Sequence, residues 1–248
     1  MSKSKKHVFD PSTLREEDGA DTVRLFCLFA APPERDLEWS EQGVDGSFRF
    51  LNRIWRLVQE LAETVKSAIP YDGDMNELDG DLKKLFQKTH LTIKKVSKDI
   101  DERFHFNTAI SAVMELVNMM YSLDLDSSKQ TTTGSGVIRT AVEAVILLLS
   151  PIIPHVAEEL WETLGYEPGS LASTPWPSFR EDALITDTCL IIAQVNGKLR
   201  GKFNIDTNAD DETIKEAALA DENVQRFIDG RPIKKIIVVK KKLVNIVI

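Results

Sequence analysis

Between Gly43 and Gly165 apolar residues return every three or four positions, and from Cys189 the dominant period changes to two in segments that read as strands. One element cannot satisfy both periods, so the chain must divide into a helical part and a later part built on strands. The clearest helical stretch carries Phe50, Leu51, Ile54, Leu57, Val58, Leu61 and Val65 on one stripe, with Arg49, Arg53, Arg56 and Glu60 outside it. A second helix is expected from about Leu78 to Ile100, turning Leu82, Leu85, Phe86, Thr89, Ile93 and Val96 inward, and a third from Asn107 to Ser122. Gly134-Ser135-Gly136 opens a fourth over Val137 to Leu149, and after the break from Pro151 to Pro154 a fifth ends at Gly165. Five helices joined by loops near 70–73 and 124–133 make an antiparallel bundle. The polar loop from Asp126 to Thr133 is expected to be disordered.

Ahead of the bundle, Asp10-Pro11 starts a short helix that Gly19 ends, and a second helix runs from about Asp21 to Phe29 until Pro32-Pro33 breaks it. A piece of about 40 residues closing at Trp39 is too small to own a core and should lie against the helices that follow. Beyond the bundle, Pro168 to Asp187 reads as an extended linker around Pro175-Trp176-Pro177. Cys189 to Val195 and Leu199 to Ile205 flank Asn196-Gly197, the pair that supplies the positive φ angles of a type I′ hairpin turn. Asp210 to Asp229 is helical, and Ile233 to Val239 with Leu243 to Ile248 form a second strand pair. The fold class is therefore mainly α, an antiparallel helix bundle followed by a small C-terminal α+β domain with a four-stranded sheet. The segments are 1–42, 43–167, 168–187 and 188–248.

A hydrophobic share of 42% over 248 residues is enough for a packed core. No apolar run approaches the roughly 20 residues that cross a bilayer, and the start lacks an apolar signal-type region, so a cytoplasmic chain without a membrane partner is expected. Cys27 and Cys189 stand far apart and His7, His90, His105 and His155 are scattered, so neither a metal site nor a disulfide is expected. The net charge of −8 argues against a nucleic-acid partner until its distribution is considered. Residues 185–248 hold eleven basic against nine acidic side chains, a net +2, which leaves −10 for residues 1–184. The later part is the basic end, its cations clustered on the hairpin and at Lys240 to Lys242.

Several segments, taken together, carry a resemblance. They begin with Met1-Ser2-Lys3-Ser4-Lys5 and Phe9-Asp10-Pro11, then Gly19 to Phe26, Ala30-Ala31-Pro32-Pro33-Glu34 and Asp36-Leu37-Glu38-Trp39-Ser40. They continue with Gly43-Val44 and Arg49 to Trp55, then Ser150-Pro151-Ile152-Ile153-Pro154-His155 with Glu158-Glu159-Leu160-Trp161, Pro175-Trp176-Pro177 and Gln194 to Arg200. In that order they resemble the C-terminal third of bacterial-type leucyl-tRNA synthetases, starting inside the KMSKS loop with its first lysine missing. The run around Pro154 and Trp161 is shared by several class I synthetases, whereas the Glu38-Trp39-Ser40 and Asn196-Gly197-Lys198 segments look leucyl-specific.

The resemblance implies a fragment of a leucine–tRNA ligase. Lys3 would be catalytic, and Met1, Ser2, Lys3 and Ser4 would form a loop over ATP with Mg2+, engaging its phosphates as charge builds in the transition state. The family's His-Ile-Gly-His-type motif is absent from this sequence. The chain alone is therefore expected to activate no amino acid, and ATP and leucine bind only with the other domains. What remains is docking of the tRNA for leucine by a monomer. Arg49, Arg53 and Arg56 lie on the helix that the family places along the tRNA, and Asn196, Lys198, Arg200 and Lys202 would share one face of the hairpin, joined by Lys240, Lys241 and Lys242. A run such as Lys94, Lys95 and Lys98 equally suits a solvated helix face, and Lys240 to Lys242 equally suit protection of a sheet edge. Trp39, Trp55, Trp161 and Trp176 are expected in the core rather than stacked on bases. A valyl- or isoleucyl-type synthetase fragment and a non-catalytic helical adaptor are the competing readings; the Asn196-Gly197-Lys198 hairpin opposes the first and residues 1–5 oppose the second.

Overall fold

A computed structural model of the chain describes residues 19–185, 188–239 and 242–248. The short helix expected from Asp10 lies outside them. The chain divides into a helical unit ending at Leu184 and a mixed unit from Ile185 to Ile248.

In the helical unit the elements are α1 (Ala20–Ala30), α2 (Glu41–Ser67), α3 (Gly80–Asp101), α4 (Phe106–Ser122), α5 (Thr132–Leu149) and α6 (Pro154–Thr163). Ser40 caps α2, its hydroxyl accepting from Gly43 N at 3.2 Å. All seven residues of the expected α2 stripe are buried. At roughly 1.5–3 kcal/mol for each fully buried Leu, Ile or Val, that face holds the helix in place more than its own propensity does. Gly43 lets α1 approach, since a Cβ there would lie 2.6 Å from the Phe26 ring. Phe26 in turn meets Trp39 edge-on at 5.0 Å.

Helix α5 starts earlier than expected, at Thr132, because the Thr131 hydroxyl accepts from Gly134 N at 3.0 Å and makes Thr131 the N-cap. Its length and hydropathy would also suit a membrane span, but Val137, Ile138, Ala141, Val142 and Val145 are all buried within this unit. It is the central core helix. Arg139 and Glu143 interrupt its apolar run: Arg139 pairs with Glu143 and donates to Tyr166 and to the Val65 and Ala68 carbonyls at the end of α2. The orphan carbonyls of α2 are satisfied by a neighbouring helix.

Two expected irregular stretches are built. The 126–133 loop holds a 3-10 turn at Ser128–Gln130, and Leu125 beside it is buried. Lys129 closes it on Asp126 at 2.8 Å. The 168–184 stretch is not a free connector either. Leu171 and Ala183 enter the bundle core, and Trp161 Nε1 donates to Ser170 Oγ at 3.2 Å. Trp176 Nε1 donates to Ser97 Oγ at 2.8 Å, and Arg180 N donates to His90 Nδ1 at 3.3 Å. Side-chain hydrogen bonds, which leave no hydrophobic period, hold this segment down.

The mixed unit contains β1 (Thr188–Val195), β2 (Lys198–Asp206), α7 (Asp211–Ala220), α8 (Glu222–Ile228), β3 (Lys235–Val239) and β4 (Leu243–Val247). Strand order is β2-β1-β4-β3, with both hairpins antiparallel and β1 parallel to β4. Asn196 at φ 50° and Gly197 at φ 77° make the expected turn. Ile191, Ala193, Val195, Val244 and Ile246 face Ile214, Ala218 and Val224 of α7 and α8 in a small separate core. The helical stretch expected over 210–229 is broken at Asp221, whose extended backbone ends α7 and whose carboxylate accepts from Asn223 N and Val224 N to start α8.

Candidate nucleic-acid interface

Arg49, Arg53 and Arg56 fall on one outward stripe of α2, because positions i, i+4 and i+7 share a face while the core takes the opposite one. None of the three is in an ion pair among the described residues. Arg53 is held in place: its guanidinium lies 4.6 Å over the Tyr121 ring, and the Tyr121 hydroxyl donates to the Arg53 carbonyl at 2.8 Å. Burial, aided by Glu60, pushes the Tyr121 hydroxyl up in pKa, with Arg56 and Arg53 pulling the other way. It therefore stays a neutral donor. Arg56 Nε donates to the Asn52 carbonyl at 3.3 Å. Tyr121 belongs to this site and carries no sequence signal for it, since it lies on α4, far along the chain.

Beside the stripe is a hollow of about 380 Å³ lined by Phe48, Asn52, Trp55, Asp21 and His155. Asp21 is buried and fixes its far wall, accepting from Val156 N at 2.7 Å and meeting His155 Nδ1 at 2.8 Å. That carboxylate caps the start of α6. Arg24 donates to the Ile152 and Pro151 carbonyls at 3.0 and 2.9 Å, so α1 ties down both the break and the helix after it.

The lysines of α3 differ from the arginines of α2. Lys94 reaches Glu181 at 3.8 Å, Lys95 reaches Asp99 at 2.6 Å and Lys98 reaches Glu102 at 3.7 Å. Burial would raise the Asp99 carboxyl, but hydrogen bonds from Lys95 and Thr108 and the nearby charges prevail and hold it below the ordinary carboxylate value.

In the mixed unit the hairpin corrects one expectation. The ladder pairs Ala193 with Gly201 but Gln194 with Leu199, so Arg200 is the extra residue of a β-bulge. Directly opposed residues share a face, so Lys198, paired with Val195, lies on the helix-bearing face and Lys202, paired with Ile192, on the open one. Arg200 stacks 3.6 Å over the Phe227 ring of α8. The even-numbered residues are thus not one row. Asn196 is committed to the fold, its Oδ1 accepting from Ile248 N at 3.1 Å. Lys242 is exposed and sits next to Leu243, which lies across β1 from Lys202 two strands away, a backbone spacing of roughly 10 Å. Lys240, Lys241 and the loop residues Met1, Ser2, Lys3 and Ser4 lie outside the described residues. Of the tryptophans, Trp161 is buried and stacks on Tyr166 at 3.9 Å, Trp55 is half-buried against the core, and Trp176 is exposed. Among the described residues no group of three or more His, Cys, Asp or Glu is arranged to hold a metal ion.

A helical unit with an outward arginine stripe invites comparison with known proteins, and the anticodon-binding domain of tRNA ligase matches residues 83–216, more than half of the chain. The chain belongs to that family. Over its whole length it is 60% identical to a leucine–tRNA ligase of Desulfatibacillum aliphaticivorans, of which it covers 28%. It corresponds to the C-terminal region of such ligases. A solved ternary complex of agnB2 LeuRS with tRNA and LeuAMS from Agrobacterium radiobacter K84 superposes on all of the chain with a TM-score of 0.75 at 30% identity, the chain covering 31% of it. A Mycobacterium tuberculosis methionyl-tRNA synthetase with methionyl-adenylate shares the fold over 70% of the chain, with a TM-score of 0.55 at 20% identity, the chain covering 37% of it. The chain thus spans less than a third of the length of the curated leucine–tRNA ligase it matches.

Proposed function

We propose that this chain is the tRNA-docking part of a leucine–tRNA ligase, acting in the cytoplasm as a monomer within the ATP-dependent attachment of leucine to its tRNA. Identity of 60% along the whole chain to a protein of that name carries the reading and weighs against both a valyl- or isoleucyl-type synthetase and a freestanding adaptor. In this reading residues 1–42 edge the catalytic domain, 43–167 are the anticodon-binding bundle and 188–248 are a second tRNA-contacting domain. Arg49, Arg53 and Arg56 meet backbone phosphates. Three unpaired guanidiniums on a rigid helix, one braced by Tyr121, can engage phosphate without first breaking an ion pair. Lys198, Lys202 and Lys242 add contacts from two faces of the mixed unit, while Arg200 gives up part of its reach to Phe227 and Asn196 serves the turn. Such contacts position a nucleic acid without reading its sequence. ATP supplies the leaving pyrophosphate in the whole ligase, and Met1, Ser2, Lys3 and Ser4, with Lys3 as the catalytic charge, are the residues of this chain assigned to it; Mg2+ is part of the same assignment.

The test is binding of the chain to leucine-accepting tRNA and to an unrelated tRNA over a salt series. Binding to both, falling steeply with salt, is expected. Replacing Arg49, Arg53 and Arg56 by Gln should flatten the log–log slope by about three. No binding to either at low salt refutes the reading.

A further inference from the structure

On the side of α3 that faces the start of α4 lies a hollow of about 390 Å³ whose wall carries Lys88, Lys94, Lys95, Lys98 and Arg103. We propose that this hollow is a binding site for a phosphate group, supplied either by an RNA backbone or by free inorganic phosphate.

Five cationic residues line it beside a single lining carboxylate, Asp99, which is spent on Lys95 and Thr108 at 2.6 and 2.8 Å and lies 3.8 Å from Arg103. Every other partner stands on the rim. Glu115, Glu181 and Glu102 pair with Lys88, Lys94 and Lys98, but their side chains are 65%, 78% and 58% exposed. The pairs of Lys94 and Lys98 span 3.8 and 3.7 Å, beyond hydrogen-bond length. Ion pairs so exposed contribute little, so an incoming dianion displaces them at small cost. An ordinary solvated lysine face is convex and makes no such demand.

Thr92 is the independent observation. It lines the same hollow, is 2% exposed, and its hydroxyl has no hydrogen-bond partner among the described residues. A threonine inside a helix normally returns its hydroxyl to the carbonyl one turn back. An unpaired buried hydroxyl is costly, and a ligand atom that reached it would relieve that cost. A phosphate oxygen accepts from a hydroxyl and from ammonium groups together.

The RNA source rests on the docking reading above; the phosphate chemistry does not. The experiment compares the 248-residue chain with a Lys94→Gln, Lys98→Gln double variant and with Thr92→Val. The first removes two charges whose ion pairs are long, Lys94 also lying 5.0 Å over the Phe179 ring, and the second removes an unpaired hydroxyl and should keep or raise the melting temperature. Inorganic phosphate is titrated with phosphorus NMR line width as the readout, and labelled tRNA is titrated by anisotropy between about 50 and 200 mM KCl. The chain should broaden the phosphate line, Thr92→Val should weaken that binding severalfold, and the double variant should abolish it. If RNA supplies the phosphate, the double variant also lowers tRNA affinity roughly tenfold at the upper salt, flattens the slope by about two, and inorganic phosphate competes with tRNA. Phosphate binding with an unchanged tRNA slope assigns the site to the free ion. An unbroadened phosphate line together with an unchanged tRNA slope overturns the proposal. The Arg49, Arg53, Arg56 variant keeps the two readings apart: loss of tRNA binding there with none in the double variant and no phosphate binding leaves docking intact and removes this site. Phosphate binding by a chain that ignores tRNA does the reverse.

Discussion

His90 shows how one buried group can set a pH limit. It is 4% exposed, packed edge-on against Phe86 at 4.4 Å, with Nδ1 accepting from Arg180 N and Nε2 unpartnered among the described residues. Burial lowers its pKa from 6.5 to about 4, the Arg180 charge adds to this and Asp182 opposes it. The folded value lies below the unfolded one, so between those pH values the unfolded chain binds the extra proton. Stability from this group is therefore complete above pH 6.5 and is lost as pH falls toward 4. At 1.36 kcal/mol per unit the loss is at most about 3 kcal/mol. His90→Asn keeps an acceptor without titrating. Urea midpoints of wild type should drop more between pH 7 and pH 4.5 than those of the variant; parallel pH dependences would show that His90 does not sense the proton.

At the scale of elements, Arg139 of α5 holds the end of α2 and Tyr166 through one guanidinium, with Glu143 as its counter-charge, and both side chains are mostly buried. Arg139→Met leaves the Glu143 carboxylate mostly buried without its counter-charge, held by the Tyr166 hydroxyl alone, and should cost about 3 kcal/mol, whereas adding Glu143→Leu should recover most of that loss. Equal stabilities of the single and double variants, by urea unfolding, would contradict this account. The α2 stripe was legible in the sequence because its buried residues recur without a break, and the Asn196-Gly197 turn because few other residue pairs suit its angles. Arg139 was not, since the carbonyls it serves lie on another helix, some seventy residues earlier. The bulge at Arg200 was hidden for a different reason: Lys198, Arg200 and Lys202 keep a period of two in sequence while the ladder skips one of them. The same limit applies to the candidate site. The arginine stripe follows from periodicity, but its freedom from carboxylates, the brace by Tyr121 and the concavity around Thr92 are relations between elements.

For the whole molecule, two cores of unequal size imply two stabilities. Among the described residues, the helical unit packs six helices around a core that runs from Leu25 to Ala183, whereas the mixed unit's core holds the fewer buried side chains of Ile191, Ala193, Val195, Ile214, Ala218, Val224, Val244 and Ile246. A domain of about 60 residues buries a smaller share of its surface than a larger one and is marginal on its own. All four tryptophans, Trp39, Trp55, Trp161 and Trp176, belong to the helical unit, so tryptophan fluorescence follows that unit alone while far-ultraviolet circular dichroism follows both. Urea titration should therefore give transitions that do not coincide. Circular dichroism should begin to change at lower urea, as the sheet and the helices α7 and α8 are lost, and fluorescence should change later in a single step. A second probe fixes the order: Gly197→Ala strains the turn at φ 77° and should move only the early transition, by roughly 1 kcal/mol. Superimposable curves that shift together in Gly197→Ala would mean that the two cores unfold as one cooperative body, and that the small unit draws its stability from the large one.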